Sequence, residues 1–359
     1  MNVRKSLFAV LVAVALAGGL AYVFRAPLSV ALVKRVAADR LAADALGGLP
    51  DGLHLGLCGA GSPFPDDKRA GPCTLVVAGS RLFVFDAGNA STRNIGRMGF
   101  DHGRIEAIFL THFHSDHIDG LGELMLQRWV AGANAEPVPV LGPAGVEKVV
   151  AGIMQAYAQD QGYRVAHHGE RTVPAGGFGG AARPFAPGPD GRAVLLKDAD
   201  LEIVAFVVDH APVDPSVGYR IRYKGRSVVL SGDTKKSAAV QREAKGADLL
   251  VHEALSAPLV GILNEAAVRA GRANLQKIFA DIVDYHTTPE QAAEIARDAR
   301  VGHLLLNHIA PPLPPLPGLE QAFLGDAASI YRGPIRIGSD GDFVSLPAGT
   351  KQIVPSRRF

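Results

Sequence analysis

Thr111-His112-Phe113-His114-Ser115-Asp116-His117 puts three histidines and a carboxylate into seven positions, directly after the apolar run Ile105-Glu106-Ala107-Ile108-Phe109-Leu110. The run reads as a buried strand. Imidazoles alternating on an extended segment converge on one cation, and an Asp-His pair one step later faces a second. Neither a packed core nor an ordinary turn needs this composition, so the segment reads as a metal site at a strand end.

Ligands on a rigid scaffold belong where a polar residue immediately follows a strand. Four further stretches have that form: Val207-Val208-Asp209-His210, Ser231-Gly232-Asp233-Thr234, Leu250-Val251-His252-Glu253-Ala254 and Leu305-Leu306-Asn307-His308. At His210, the neighbouring Asp209 competes as the donor. Around these stretches, apolar alternation predicts strands at 53–58, 74–78, 81–86 and 138–141, and later at 201–208, 217–223, 227–231, 249–251 and 303–307. Helical spacing covers 120–131 and 143–158, and a Gly- and Pro-rich stretch, 169–192, reads as loop. Two strand-rich halves with interspersed helices imply an α/β fold of two sheets packed face to face with helices outside.

The N-terminus is a separate matter. Arg4 and Lys5 precede an uncharged apolar run over 7–24, so residues 1–24 read as an N-terminal membrane anchor or signal segment. Small residues at Ala15 and Ala17 would permit cleavage and release to the periplasm. Apolarity continues past them, which favours an uncleaved anchor in the inner membrane with the remainder exported. Residues 25–50 read as an amphipathic linker, and 51–350 as the catalytic domain. Residues 1–35 hold five Lys/Arg and no Asp/Glu, so the 37 basic and 35 acidic residues of the chain become 32 against 35 beyond them. This slightly acidic balance, with no basic run, makes nucleic acid an unlikely partner on electrostatic grounds. Cys58 and Cys73 would pair if exported, or remain buried thiols. Oligomeric state has no signature in the sequence.

Taken in order, the 111–117 cluster, Asp209-His210 ahead of Gly218-Tyr219, Ser231-Gly232-Asp233-Thr234, His252-Glu253-Ala254, His286-Thr287-Thr288-Pro289 and Asn307-His308 resemble the metallo-β-lactamase-fold hydrolases. Within them, the chain looks most like the branch containing ribonuclease Z and its arylsulfatase and phosphodiesterase relatives. The resemblance implies a four-layer αββα sandwich of two mixed sheets. It also implies two zinc ions, with iron or manganese as substitutes. His112, His114 and His210 would hold the first, Asp116, His117 and His308 the second, and Asp233 would bridge them. A bridging hydroxide would attack the substrate, Asp116 would orient or deprotonate the attacking water, and His286, oriented by Glu253, would protonate the leaving group.

Ribonuclease Z carries a long, basic tRNA-clamping arm to which this sequence shows no clear counterpart. Between Glu253 and His286 lies instead a helical insertion, 256–285, that would wall or cover the pocket, or pack outside the sandwich. These departures lead to the expectation of a small-molecule ester substrate, with a phosphodiester or sulfate ester preferred. The alternatives are a ribonuclease Z-type endonuclease, a β-lactam or lactone hydrolase, and a non-catalytic module that keeps metal for stability.

Overall fold

The computed structural model describes residues 3–42 and 44–359; the first two residues of the expected anchor and Ala43 of the expected linker lie outside the described residues. The chain forms two units, one ending at Asp44 and one spanning Ala45–Phe359. The first consists of helices α1 (Val3–Val23) and α2 (Arg25–Ala42). In α1, the 18 residues Ser6–Val23 have a mean hydropathy of 2.3. At about 1.5 Å per residue they match the hydrocarbon thickness of a bilayer closely enough for a signal or an anchor.

The second unit is built on fifteen strands among the described residues: β1 (Gly52–Gly59), β2 (Cys73–Ala78), β3 (Arg81–Phe85), β4 (Ile105–Phe109), β5 (Val138–Gly142), β6 (Gly180–Pro184), β7 (Arg192–Lys197), β8 (Leu201–His210), β9 (Val213–Tyr223), β10 (Arg226–Leu230), β11 (Leu249–Leu255), β12 (His303–Ala310), β13 (Ile335–Ile337), β14 (Asp342–Pro347) and β15 (Val354–Arg357). One sheet runs β15-β14-β1-β2-β3-β4-β5-β6 and the other β13-β12-β11-β10-β9-β8-β7. Helices α3 (Ser91–Arg97), α4 (Ser115–Ile118), α5 (Leu121–Gly132) and α6 (Val146–His168) follow strands of the first sheet. Helices α7 (Ala238–Glu243), α8 (Ala257–Arg269), α9 (Ala273–Asp281), α10 (Pro289–Ala299), α11 (Leu319–Leu324) and α12 (Ala327–Ile330) belong with the second.

Two-residue periodicity produces the layers. Leu53, Leu55, Leu57, Phe83, Phe85 and Phe109 face the interior, where they meet Ile203, Tyr219, Ile221, Val228 and Val251 of the other sheet. Phe85 stacks on Phe109 at 4.7 Å and meets the edge of Tyr219 at 5.0 Å. Each such ring or branched chain, fully buried, contributes roughly 1.5–3 kcal/mol. The alternate residues Leu75, Val77, Val84 and Ile108 pack outward under α5 and α6, against Leu121, Met125, Val146 and Val150. On the opposite side, Leu250, Leu304 and Leu306 pack under Ala292, Ile295 and Ala296 of α10. The result is the αββα sandwich expected from the sequence.

Strand direction decides where chemistry can sit. β3 and β4 are parallel. β8 and β10 are each antiparallel to β9, and β10, β11 and β12 are mutually parallel. The C-terminal ends of β8, β10, β11 and β12 therefore open on one edge of their sheet, as those of β3 and β4 do on theirs. Contacts such as the Val217 amide donating to Thr111 O (3.1 Å) and the Ile309 amide to Ala60 O (2.9 Å) tie the two sheets together at this edge.

Two local features differ from the sequence reading, and a third decides between alternatives it left open. The 169–192 stretch is not all loop, because Gly180–Pro184 pairs with β5 as an edge strand. Helix α6 continues past 158 to His168, where Gly169 at φ 78° provides the stop. Cys58 and Cys73, adjacent across β1 and β2, form a disulfide with Cα atoms 5.0 Å apart.

Candidate metal centre

The 111–117 segment leaves the end of β4, turns, and enters the short helix α4. It lies against glycine backbone: a Cβ on Gly88 would meet Asp116 O at 2.3 Å. Opposite it, Gly232 adopts φ +61°, and a Cβ there would meet Val217 O at 2.4 Å, so only glycine lets β10 end in the bend that delivers Asp233. His210 arrives from the end of β8, while His308 on β12 sits at φ 47°.

These elements bring together all seven residues expected to bind metal. His112 Nε2 lies 3.0 Å from His114 Nδ1, which lies 3.4 Å from His210 Nε2. Asp233 Oδ2 is 3.2 Å from His117 Nε2, 3.2 Å from His308 Nε2, 3.8 Å from His112 Nε2 and 3.9 Å from His210 Nε2. Asp116 Oδ2 lies 3.3 Å from His308 Nε2 and 3.5 Å from His117 Nε2. The donor atoms fall into two groups, His112-His114-His210-Asp233 and Asp116-His117-His308, with Asp233 touching both. Around a tetrahedral ion with bonds of about 2.0–2.1 Å, ligand atoms stand about 3.3 Å apart, so the spacing suits the donor set of two adjacent cations. Asp209, the competing candidate, is exposed and accepts from the Ala211 amide instead.

His112, His117 and His210 are each fixed through their second ring nitrogen, whereas the buried His308 Nδ1 has no hydrogen-bond partner among the described residues. His117 Nδ1 donates to Asp86 Oδ2 (2.9 Å), which also accepts from the Thr111 hydroxyl (2.9 Å). With its proton committed to Asp86, the Thr111 hydroxyl accepts from His112 Nδ1 (3.0 Å). His210 Nδ1 donates to Tyr285 O (3.0 Å). Each of these three rings thus aims Nε2 at the centre, the nitrogen that takes a cation once the ring is neutral. Asp86 was not singled out in the sequence, although it directly follows the apolar run Leu82-Phe83-Val84-Phe85, the pattern that marked the ligands.

Electrostatics divides the histidines. Burial holds His112 well below the ordinary imidazole value, with the charge of His117 adding to the effect, and burial likewise lowers His114 and His210. Burial opposes protonation of His117 and His308 too, but carboxylates outweigh it. Asp233 and Asp86 raise His117 well above the usual value, and Asp233 with Asp116 pushes His308 up to about 9. Against its own burial, Asp233 is held well below the usual carboxylate range by His308 and His117. This concentration of buried anionic charge is what divalent cations would neutralise.

Beside the ligands, Glu253 Oε1 accepts from His286 Nδ1 (3.0 Å) and from the amides of Thr234 (3.1 Å) and Thr287 (3.2 Å). The backbone thereby fixes Glu253, and Glu253 aims His286. A ring nitrogen of His286 falls within 4.8 Å of donor atoms of Asp233 and His308. A cavity of about 230 Å³ opens over the centre, lined by His114, Ser115, Asp116, Asp233, His286 and His308 and by Pro63, Phe64, Leu255, Ile282, Tyr285 and Ala310. Ile282 and Tyr285 place the C-terminal part of the 256–285 insertion in its wall.

Comparison with known proteins agrees with this architecture. A domain described as the beta-lactamase superfamily domain matches residues 81–309, a span that includes all seven candidate ligands. The chain is 37% identical over 299 residues to a protein named ribonuclease Z of Mycolicibacterium gilvum, covering 83% of this chain and 97% of that one. It is 36% identical to ribonuclease Z of Mycobacterium bovis, covering 80% and 96%. Among solved structures, the metallo-β-lactamase-fold protein YhfI of Bacillus subtilis aligns with a TM-score of 0.57 at 20% identity, over 82% of this chain and all of that one. The short form of human tRNase Z aligns at 0.56 and 20%, over 82% and 99%.

The names of these relatives overturn two expectations from the sequence, that nucleic acid is an unlikely partner and that the substrate is a small ester. No relative reported above bears an arylsulfatase name. Net charge does not count bound ions: a centre holding divalent cations would meet a phosphodiester's charge without a basic surface. From the matched span, the extent of identity and the shared sandwich, the chain belongs to the β-lactamase superfamily, as a metallo-β-lactamase-fold hydrolase homologous to ribonuclease Z.

Proposed function

We propose that this protein is a zinc-dependent endonuclease that hydrolyses a phosphodiester bond of RNA. The observation that carries the reading is 37% identity across nearly the whole length of a ribonuclease Z, joined to a two-group donor set meeting at Asp233. His112, His114 and His210 would hold one ion, Asp116, His117 and His308 the other, and Asp233 both. Bound there, the ions would supply Lewis acidity toward the phosphate and lower the pKa of water.

The chain's own groups do the rest. Asp116, at the cavity wall, accepts from and orients the attacking water. His286, its Nδ1–H committed to Glu253, gives a proton from Nε2 to the departing ribose oxygen. As the P–O bond breaks, that oxygen leaves as a hydroxyl, the water oxygen remains on phosphorus, and the proton the water sheds passes to Asp116. Leu255, Ile282 and Ala310 give the cavity an apolar wall. The test uses end-labelled RNA carrying a single-stranded tail. Zinc-loaded protein is expected to give a discrete internal cut, lost in Asp233→Ala and reduced about 10²–10⁴-fold in kcat in His286→Ala with metal content retained. Absence of any RNA cleavage by fully metallated protein would contradict the reading.

For localisation, α1 is proposed as an uncleaved anchor with the second unit exported. Support comes from its apolar length and from the Cys58–Cys73 disulfide, a bond that persists in oxidising compartments. Protease added outside spheroplasts is expected to digest the second unit; complete protection would contradict export.

A further inference from the structure

The wall of the cavity contains aromatic rings that neither the donor set nor the proposed proton transfer uses. Phe64, on the loop between β1 and β2, stacks on Phe279 of α9 with centroids 6.0 Å apart and planes 9° from parallel. Phe64 and Tyr285 both line the cavity over the centre, and the Tyr285 ring lies 4.9 Å from His286 and 5.3 Å from His210. All three aromatic rings are half-buried, leaving surface free to be covered.

The loop that carries Phe64 is fixed before any substrate arrives. Asp340 accepts from the Ala60 amide (3.1 Å) at one end and the Ala70 amide (2.9 Å) at the other, and from Asn94 Nδ2 (2.7 Å). The Cys58–Cys73 disulfide closes its base. Such a loop offers a preorganised surface whose ordering cost is already met in folding.

Among the described residues, none lining this cavity is Lys or Arg. A phosphate at the metal centre therefore has as its immediate neighbours rings and aliphatic walls, which suit the flat, uncharged part of a nucleotide. We propose that Phe64, braced by Phe279, and Tyr285 hold by stacking the nucleobase that adjoins the scissile phosphate. The helical insertion would then be a base-selecting wall. This rests on the ribonuclease reading above. A role limited to packing Phe64 and Phe279 against Val260 and Ile282 is the competing account, and leucine at either ring position preserves that packing without an aromatic face.

The experiment uses full-length, zinc-loaded protein in detergent and RNA carrying 2-aminopurine, or an abasic nucleotide, on either side of the cut. Fluorescence is followed on mixing, and kcat and KM are measured separately. Stacking predicts quenching at one of the two positions. In Phe64→Leu and Phe279→Leu, with melting temperature unchanged, it predicts KM rising roughly 5- to 100-fold while kcat changes little. It also predicts that wild type and Phe64→Leu become equivalent on RNA abasic at that nucleotide. Cleavage with unchanged KM in both leucine variants, or a defect that persists on abasic RNA, would overturn the stacking role and leave the ribonuclease reading standing. Failure of the wild type to cut any RNA would overturn the ribonuclease reading and this role with it.

Discussion

Asp233 Oδ2 lies 3.2 Å from imidazole nitrogens on helix α4 and strand β12, and Asp86 Oδ2 serves a histidine and a threonine that lie six residues apart. Both are single atoms on which several side chains depend, but only the first was visible in the sequence. Asp233 follows its strand within a recognisable four-residue motif, whereas Asp86, although it too follows a strand, has no such motif around it and acts on Thr111 and His117 across 25 and 31 positions. Asp86→Asn keeps the size of the side chain but weakens its acceptor, and is expected to lower metal affinity about 10- to 100-fold, as read by competition with a chromogenic chelator. An unchanged affinity would show that Asp86 serves the fold alone. His54, remote from the centre, tests burial by itself. Its two ring nitrogens contact Ser345 Oγ (2.7 Å) and Pro50 O (2.8 Å), and burial lowers its pKa below the ordinary value. An unfolded histidine takes up its proton near pH 6.5, the folded one only at lower pH. Stability is therefore complete above about pH 6.5 and is lost as pH falls through the folded value. In His54→Gln, urea midpoints compared at pH 7.5 and 5.5 should show a smaller acid-side loss than in the wild type.

At the scale of elements, the buried strands were legible and the edges were not. β1 and β2 are buried throughout, and the alternating Leu53, Leu55 and Leu57 of the one and the run Leu75-Val76-Val77-Ala78 of the other stand out. β15, by contrast, is exposed throughout and carries no apolar pattern, and in β7 the short run Ala193-Val194-Leu195-Leu196 is only partly buried and does not alternate. The β1–β2 loop shows the same limit. Its ends are gathered by Asp340, 280 and 270 residues distant, a relation that no window of sequence contains. The disulfide across its base spans 15 positions, and closing a loop of that length in the unfolded chain contributes about 3 kcal/mol. The Cys58→Ala/Cys73→Ala double variant should lose about that much in chemical denaturation while still binding metal. A loss well under 1 kcal/mol would mean that the hydrogen bonds to Asp340 hold the loop unaided.

For the whole molecule, the sandwich was legible because chemistry-bearing residues recur at strand ends in a fixed order, and parallel strands carry those ends to one edge. The partner was misread for a physical reason. Counting Lys and Arg measures how a surface attracts a polyanion, but the charge that meets the reacting phosphate here would come from ions absent from the sequence. Two cations, joined through Asp233, would therefore make this fold an RNA phosphodiesterase. The most direct test is a titration of zinc into metal-free, full-length protein with RNA cleavage as the readout. Cleavage is expected to rise until two equivalents per chain are bound, and Asp233→Ala to stay inactive throughout. Saturation at one equivalent, or no RNA cleavage with two bound, would contradict it.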